Sequence, residues 1–188
     1  MGKVILDMSM SLDGFIAGPR GEDGGLYNWY FAPDEPATAG NRKVIAESIE
    51  DFAAIVMGKR AYEVGERAGG FEDDPYTAAH FVLSHNVPTQ KAKGTEDFVF
   101  VAEGIESALE QAKVAAGSRD VAIGGGADIA QQYLRAGLID EIQIHLVPVL
   151  LGEGIRLFEY LGTEPINMEI TRVIESPTVT HLKYRVVK

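Results

Sequence analysis

Runs of Val, Ile, Leu and Met recur along the chain, separated by stretches whose apolar residues return every three or four positions. Lys3 to Met10 is such a run and reads as a central, buried strand. Thr38 to Asp51 predicts a helix, with Val44, Ile45, Ile49 and Phe52 at helical spacing, and Ala53 to Met57 predicts a short buried strand. A short helix over Ala61 to Arg67 and strands over His80 to Ser84 and Asp97 to Val101 come next. Ile105 to Ala116 is a helix with Ile105, Leu109, Ala112 and Ala116 inward and Gly117 suited to its C-cap. Asp120 to Ile123 is a strand, and the helix after it runs to about Ala136, stopped by Gly137. Asp140 to Val147 is a further strand. Asn167 to Glu175 and Thr178 to Val187 form a hairpin around Ser176-Pro177. Helices alternate with strands first and strands alone come last. The pattern predicts one α/β domain over residues 1–188, its sheet mostly parallel with an antiparallel C-terminal edge.

The glycines at Gly124, Gly125 and Gly126 stand between a strand and a helix. The first amides of a helix lack intrahelical partners and the helix dipole favours negative charge there, so such a junction suits a phosphate. Glycines let an anion approach the backbone without meeting a β-carbon. A side chain at Gly126 would occupy the ligand's space and strain φ. The same residues can also serve as a plain turn. They match neither the dinucleotide fingerprint, whose third glycine would fall at Ile129, nor a P-loop, since no Lys-Ser/Thr follows.

Charge narrows the partners. A net charge of −11 and a pI near 4.8 argue against nucleic acid or an anionic membrane, because both select basic surfaces. A phosphate-bearing small ligand needs only a local basic cluster. The chain has no cysteine, which excludes disulfides, thiolate metal sites and cysteine nucleophiles. No signal peptide and no apolar run of spanning length is present, so the expected location is cytoplasmic.

Three turns share a placement. Gly58-Lys59-Arg60, Ser84-His85 and Gly124-Gly125-Gly126 each follow the C-terminal end of a predicted parallel strand, where open α/β sheets bind ligands. Backbone amides at one turn suit a pyrophosphate. Cationic and hydroxyl groups at the others suit a further phosphate, and NADPH would use all three. Lys59 and Arg60 are otherwise ordinary solvated cations. A glycine-rich loop from Ser11 to Gly25 carries Phe15 and Ile16, which must fold over something apolar. Trp29, Tyr30 and Phe31 either wall a planar ligand or pack in the core.

These segments resemble the dihydrofolate reductase-like family, most closely the reductase domain of the riboflavin biosynthesis enzymes. The matching stretches are Ser11 to Ala17, Val56 to Glu63, Val82 to Ser84, Ile123 to Gly126 and Val147 to Gly154. The resemblance implies a central sheet of about eight strands with helices on both faces. It further implies an NADPH-dependent reductase of a pterin or aminopyrimidine, and a homodimer built on the C-terminal strands. By position, Ile16 and Ala17 would lie beside the nicotinamide. Gly58, Lys59 and Arg60, with Ser84 and His85, would hold the ribose phosphate, and Gly124, Gly125, Gly126 and Ala127 the pyrophosphate. Asp128 in the first helical turn is expected to point away from the phosphate. His145 would contact the substrate near Trp29, or be a buried histidine bonded to backbone. The proton that accompanies the hydride would come from Asp34, from Asp13 or from water. Asp34 reads equally as a solvated loop acid and Asp13 as a turn-forming aspartate. No upstream deaminase domain is present, and basic groups for a substrate's ribose phosphate are not evident around Trp29.

A non-catalytic NADP(H)-binding module or redox sensor is the alternative. Hydrolysis is disfavoured, because Gly-x-Ser-x-Gly, His-Glu-x-x-His and metal-spaced carboxylates are all missing.

Overall fold

The computed structural model describes residues 2–31, 39–72, 74–95 and 97–188. Its elements in chain order are β1 (Val4–Ser11), β2 (Phe15–Ala17), α1 (Asn28–Phe31), α2 (Ala39–Asp51), β3 (Phe52–Gly58), α3 (Lys59–Arg67), β4 (Ala79–Leu83) and β5 (Val99–Val101). They continue with α4 (Ile105–Ala116), β6 (Asp120–Ile123), α5 (Ala127–Arg135), β7 (Glu141–Val147), β8 (Ile155–Arg156), β9 (Met168–Ser176) and β10 (Val179–Val186). Eight strands form one sheet in the order β5-β4-β3-β6-β1-β7-β10-β9. Neighbours from β5 to β7 are parallel, and the last two strands pair antiparallel. The α/β class and the antiparallel edge are thus as the apolar pattern predicts. The predicted strand at Asp97 starts two residues later, and α3 begins at Lys59 rather than Ala61, directly on the end of β3.

The sheet has two unlike faces, and β1 shows why. Val4, Leu6 and Met8 alternate into a large apolar core with Val56, Val121, Ile123, Ile142 and Ile144, closed by α4 and α5. Ile5 turns the other way, into a second core with Phe52, Ile55, Met57, Tyr62, Val82 and Phe98. Further along that second face, β1 presents Asp7, Ser9 and Ser11. The neighbouring strands present Gln143 and His145 from β7 and His181 from β10, all in register. β1 is the central, buried strand that the apolar run predicts, and its second face turns polar from Asp7 onward. β2 and β8 are too short to show a periodicity. They pair with each other and fold Phe15 and Ile16 inward, so the apolar residues of the glycine-rich loop are buried.

Gly137 ends α5 with φ +65°, its amide reaching Leu134 O at 3.1 Å while Leu138 N reaches Tyr133 O at 3.0 Å. Gly137→Ala places a β-carbon in open space but in the left-handed region, so it should cost about 1 kcal/mol. The check is the urea midpoint at unchanged m-value.

Candidate active site

The C-terminal ends of β3, β4, β5 and β6 open onto one cleft of about 840 Å³. Three helices start at its rim. Each begins at a glycine, Gly58 for α3, Gly104 for α4 and Gly126 for α5, and none of the three N-termini has a side-chain cap. A helix start without a capping oxygen leaves its first amides for solvent or an anionic ligand. Three such starts around one cleft concentrate donors and positive dipole ends on a small volume.

The two turns at β3 and β6 are clasped. Gly124 N donates to Val56 O at 3.0 Å and Gly58 N to Gly125 O at 2.7 Å. Gly125 holds φ +103°, and a β-carbon there would meet Met8 Sδ at 3.1 Å. At Gly58 a β-carbon would lie 2.7 Å from Ile129 Cγ1, so that glycine is needed for packing between α3 and α5. Gly126 differs from expectation. Its φ of −78° is open to any residue, and it follows a cis peptide bond from Gly125. A β-carbon on it meets nothing within 4 Å. A side chain there would stand in free space at the cleft, with no φ penalty.

All of the sequence-derived cofactor residues come together here. Ile16, Ala17, Gly58, Lys59, Arg60, Ser84, His85, Gly124, Gly125, Gly126 and Ala127 all line the cleft. Lys59 pairs loosely with Glu63 at 3.5 Å, and Arg60 is exposed beside it. Ser84 is buried; its hydroxyl donates to Asn86 O at 2.6 Å and accepts from Asn86 N at 3.3 Å, which shapes the turn. Asp128 accepts from Gln132 Nε2 at 2.7 Å along its own helix, which keeps the carboxylate off the axis of the helix start. The sequence reading missed Gly104-Ile105, although a glycine between the end of β5 and a helical pattern was the same signal. It also missed Tyr27 on the cleft wall, whose phenol is pushed up to about 12 by burial and by the charges of Asp7 and Asp23.

The proposed proton donors and substrate contacts lie elsewhere. Asp34 falls outside the described residues. Asp13 is a strut, its carboxylate accepting from Ser11 Oγ at 2.6 Å, Gly152 N at 2.8 Å and Leu151 N at 3.2 Å. The Ser11 hydroxyl, with those two amides, holds its pKa at about 2, so it stands as an anion pinning two loops and is no acid. Trp29 and His145 are not on the cleft lining. Both are buried on the polar face of the sheet, ring centroids 4.5 Å apart, and the Trp29 indole donates to Ser9 Oγ at 2.9 Å. His145 bonds to side chains, Asp7 and His181, and not to backbone. Trp29 is a lid over that network, not a wall of the cleft.

Comparison with known proteins agrees with this architecture. The model of the RibD C-terminal domain matches residues 2–182. The uncharacterized protein YyaP of Bacillus subtilis is 26% identical over 163 residues, covering 83% of this chain and 80% of its own. A crystal structure of a putative riboflavin biosynthesis protein from Shewanella sp. PV-4 superposes with a TM-score of 0.75 at 27% identity, over 99% of both chains. A Thermotoga maritima diaminohydroxyphosphoribosylaminopyrimidine deaminase/5-amino-6-(5-phosphoribosylamino)uracil reductase shares the fold, with a TM-score of 0.67 at 15% identity. This chain covers 57% of its length. A sheet of this strand order, a glycine-clasped cleft at its C-terminal ends and a family match over nearly the whole length lead to one conclusion: the chain belongs to the RibD C-terminal domain family.

Proposed function

We propose that this protein is an NADPH-dependent reductase that delivers a hydride to a pterin- or aminopyrimidine-type heterocycle, with 5-amino-6-(5-phosphoribosylamino)uracil as the first compound to try. The observation that carries the reading is the convergence of three side-chain-free helix N-termini on one cleft, with Lys59 and Arg60 on the first of them. That is a site for an elongated molecule with more than one phosphate. The family and the named activity of the Thermotoga relative support a reductase of this class.

Each part of the cleft then has a task. The amides at Gly126 and Ala127 take the pyrophosphate, and Gly126 keeps a side chain out of its way. Lys59 and Arg60 take the phosphate on the ribose, with Ser84 and His85 at its flank. Ile16 and Ala17, opposite the apolar end of the cleft, keep water from the nicotinamide. Bound NADPH supplies the hydride. The protein holds donor and acceptor in contact and provides the proton. No helix among the described residues is long and apolar enough to cross a membrane, and a cytoplasmic location belongs to this reading.

A homodimer also belongs to it, and the sheet offers a surface for one. Opposite Leu182, Tyr184 and Val186 of β10, the edge strand β9 exposes Met168 at 46%, Ile170 at 68% and Val173 at 51%. Cross-strand partners share a face, so these residues extend the apolar side of the sheet beyond the reach of α5. An uncovered apolar edge favours a second copy. The run Leu146 to Leu151 is mostly half-buried, with Pro148 and Leu150 exposed. Light scattering at micromolar concentration should give twice the 20.4 kDa chain mass, and Ile170→Lys should restore the monomer.

NADPH should bind at least tenfold tighter than NADH, since a charge-assisted phosphate contact contributes roughly 1.5–3 kcal/mol. Titration against Trp29 fluorescence, or calorimetry if the buried indole is silent, checks it. The preference should vanish in Lys59→Ala/Arg60→Ala. Equal affinities in the unaltered chain would remove the basis for the NADPH assignment.

Gly126→Val should abolish NADPH binding while the thermal transition and circular dichroism stay near those of the parent, because its side chain fills the ligand's space and meets no protein atom. Wild-type affinity in that variant would reduce the glycine turn to a turn and move a non-catalytic or unrelated role to the front. NADPH binding without oxidation by any pterin or aminopyrimidine would favour the sensor reading.

A further inference from the structure

The polar face of the sheet holds a chain of hydrogen bonds that the cleft does not use. Asp7 Oδ1 lies 2.7 Å from His145 Nε2, His145 Nδ1 lies 2.8 Å from His181 Nδ1, and His181 Nε2 lies 3.1 Å from Asn41 Oδ1. The orientation of Asn41 follows from its amide nitrogen, 3.4 Å from Trp29 O, which can only accept. Asn41 Oδ1 therefore requires a proton on His181 Nε2, and the Asp7 carboxylate requires one on His145 Nε2. Two neutral imidazoles have only those two protons. The Nδ1 atoms would then face each other lone pair to lone pair at 2.8 Å. The distance demands a third proton between them, so the chain carries one imidazolium against one carboxylate and is neutral overall.

The chain has one open end. The Asp7 side chain is 14% exposed, whereas His145, His181 and Asn41 are buried at 4%, 3% and 0%. Among the described residues, Asn41 leads on to Trp29 O and Thr178 Oγ1. Asp7 points to the face of the sheet opposite Met8, and it approaches the cleft at Tyr27, a residue of the cleft wall that lies within range of its charge.

We propose that Asp7, His145 and His181 form a buried one-proton store that opens through Asp7 and supplies the proton of the reduction. This rests on the reductase reading above. Hydride addition to the carbon of a C=N bond, with NADPH oxidised to NADP+, moves the π pair to nitrogen. That nitrogen takes a proton passed through Asp7, and His145 Nε2 makes the loss good. Both imidazoles are then neutral, the bare His145 Nε2 faces the Asp7 carboxylate at 2.7 Å, and that repulsion drives uptake of one proton from water through Asp7. A second proton is resisted, since burial and the neighbouring His145 hold His181 at about 4.

Other charges around the store are accounted for. Arg172 of β9 faces His181 and pairs with Glu47 of α2. Glu141 of β7 is paired with Lys183 of β10 and with Lys3. Tyr30 of α1, Tyr76 and Tyr27 surround Asp7, each phenol raised first by burial, with Asp74 and Asp23 behind them. None of these places a free charge against the imidazole pair.

Nitrogen NMR of the full-length protein with labelled histidine, in the absence of cofactor, counts the protons directly. His145 and His181 should show three ring N–H protons between them at pH 7, falling to two in Asp7→Asn. Two in the unaltered chain would overturn the store and leave the reductase reading intact. With NADPH and 5-amino-6-(5-phosphoribosylamino)uracil, kcat in Asp7→Asn should fall about 100-fold or more at unchanged NADPH affinity. His181→Phe, which leaves His145 Nδ1 without its imidazole partner, should lower kcat about tenfold or more at unchanged NADPH affinity. Parent-like kcat in His181→Phe would also overturn the proposal. Three N–H protons without NADPH oxidation would instead sink the reductase reading, and the role of the store with it.

Discussion

The clasp between the turns after β3 and β6 is the constraint on which the cleft depends. Strand pairing does not stop at the last ladder residues. It runs on through Gly124 N to Val56 O and Gly58 N to Gly125 O, so two chains that are about to become helices are still bonded to each other. Helices α3 and α5 therefore leave the sheet side by side, close enough that Gly58 can carry no β-carbon against Ile129. The third helix start is tied to the second from inside the core. Tyr133 of α5, wholly buried, donates its hydroxyl to Ile105 O at the first residue of α4, at 2.7 Å. Burial raises that phenol, which keeps it a donor. Three sets of open amides are fixed relative to one another before any ligand arrives, and preorganisation of this kind avoids the ordering cost that a flexible loop would pay on binding.

The two faces of the sheet have divided the work. One is apolar and holds the helices that aim at the cleft. The other becomes polar from Asp7 onward. A buried polar layer is destabilising unless its members are paired, and then it specifies one arrangement. Here every ring nitrogen of His145 and His181 has a partner, Gln143 donates to the second oxygen of Asp7 at 3.1 Å, and Trp29 seals the layer with its own donor satisfied by Ser9. That completeness explains why Trp29 cannot also be a ligand wall. Its ring is occupied by the two imidazoles, at 4.5 and 4.9 Å.

Long apolar runs made most of the fold legible. Helix α4 and strand β6 stand where the pattern put them, and the glycine turn and Lys59-Arg60 lie together on one cleft, as their shared placement at strand ends suggested. What stayed hidden has physical reasons. Two-residue β8 carries no period, yet it buries the Phe15 loop. Asp7, Ser9 and Ser11 alternate at the strand period in plain view, but apolar neighbours on both sides masked them as a uniformly buried strand. The meeting of His145 with His181 needs the register of β7 against β10, which places the two residues directly opposite. No local pattern encodes a contact across that hairpin. Asp13 was ambiguous because a turn-forming aspartate and a catalytic one look alike until the amides of Leu151 and Gly152 are seen on it.

An acidic chain that binds an anion has to solve a charge problem, and the solution is one of range. The net charge of −11 acts over distances that salt screens beyond about 8 Å at physiological ionic strength. The amides and helix dipoles of the cleft act at contact, each helix start contributing roughly half a positive charge. Of the acidic residues on the cleft lining, Asp128 is bonded to Gln132 and Glu63 is paired with Lys59. Local donors therefore outweigh the distant field at the cleft. The polar face meets a related problem by the same means: the Asp7 carboxylate and the His145 imidazole are hydrogen-bonded at 2.7 Å, where each offsets the desolvation of the other, and neither polar group would be tolerated there unpaired.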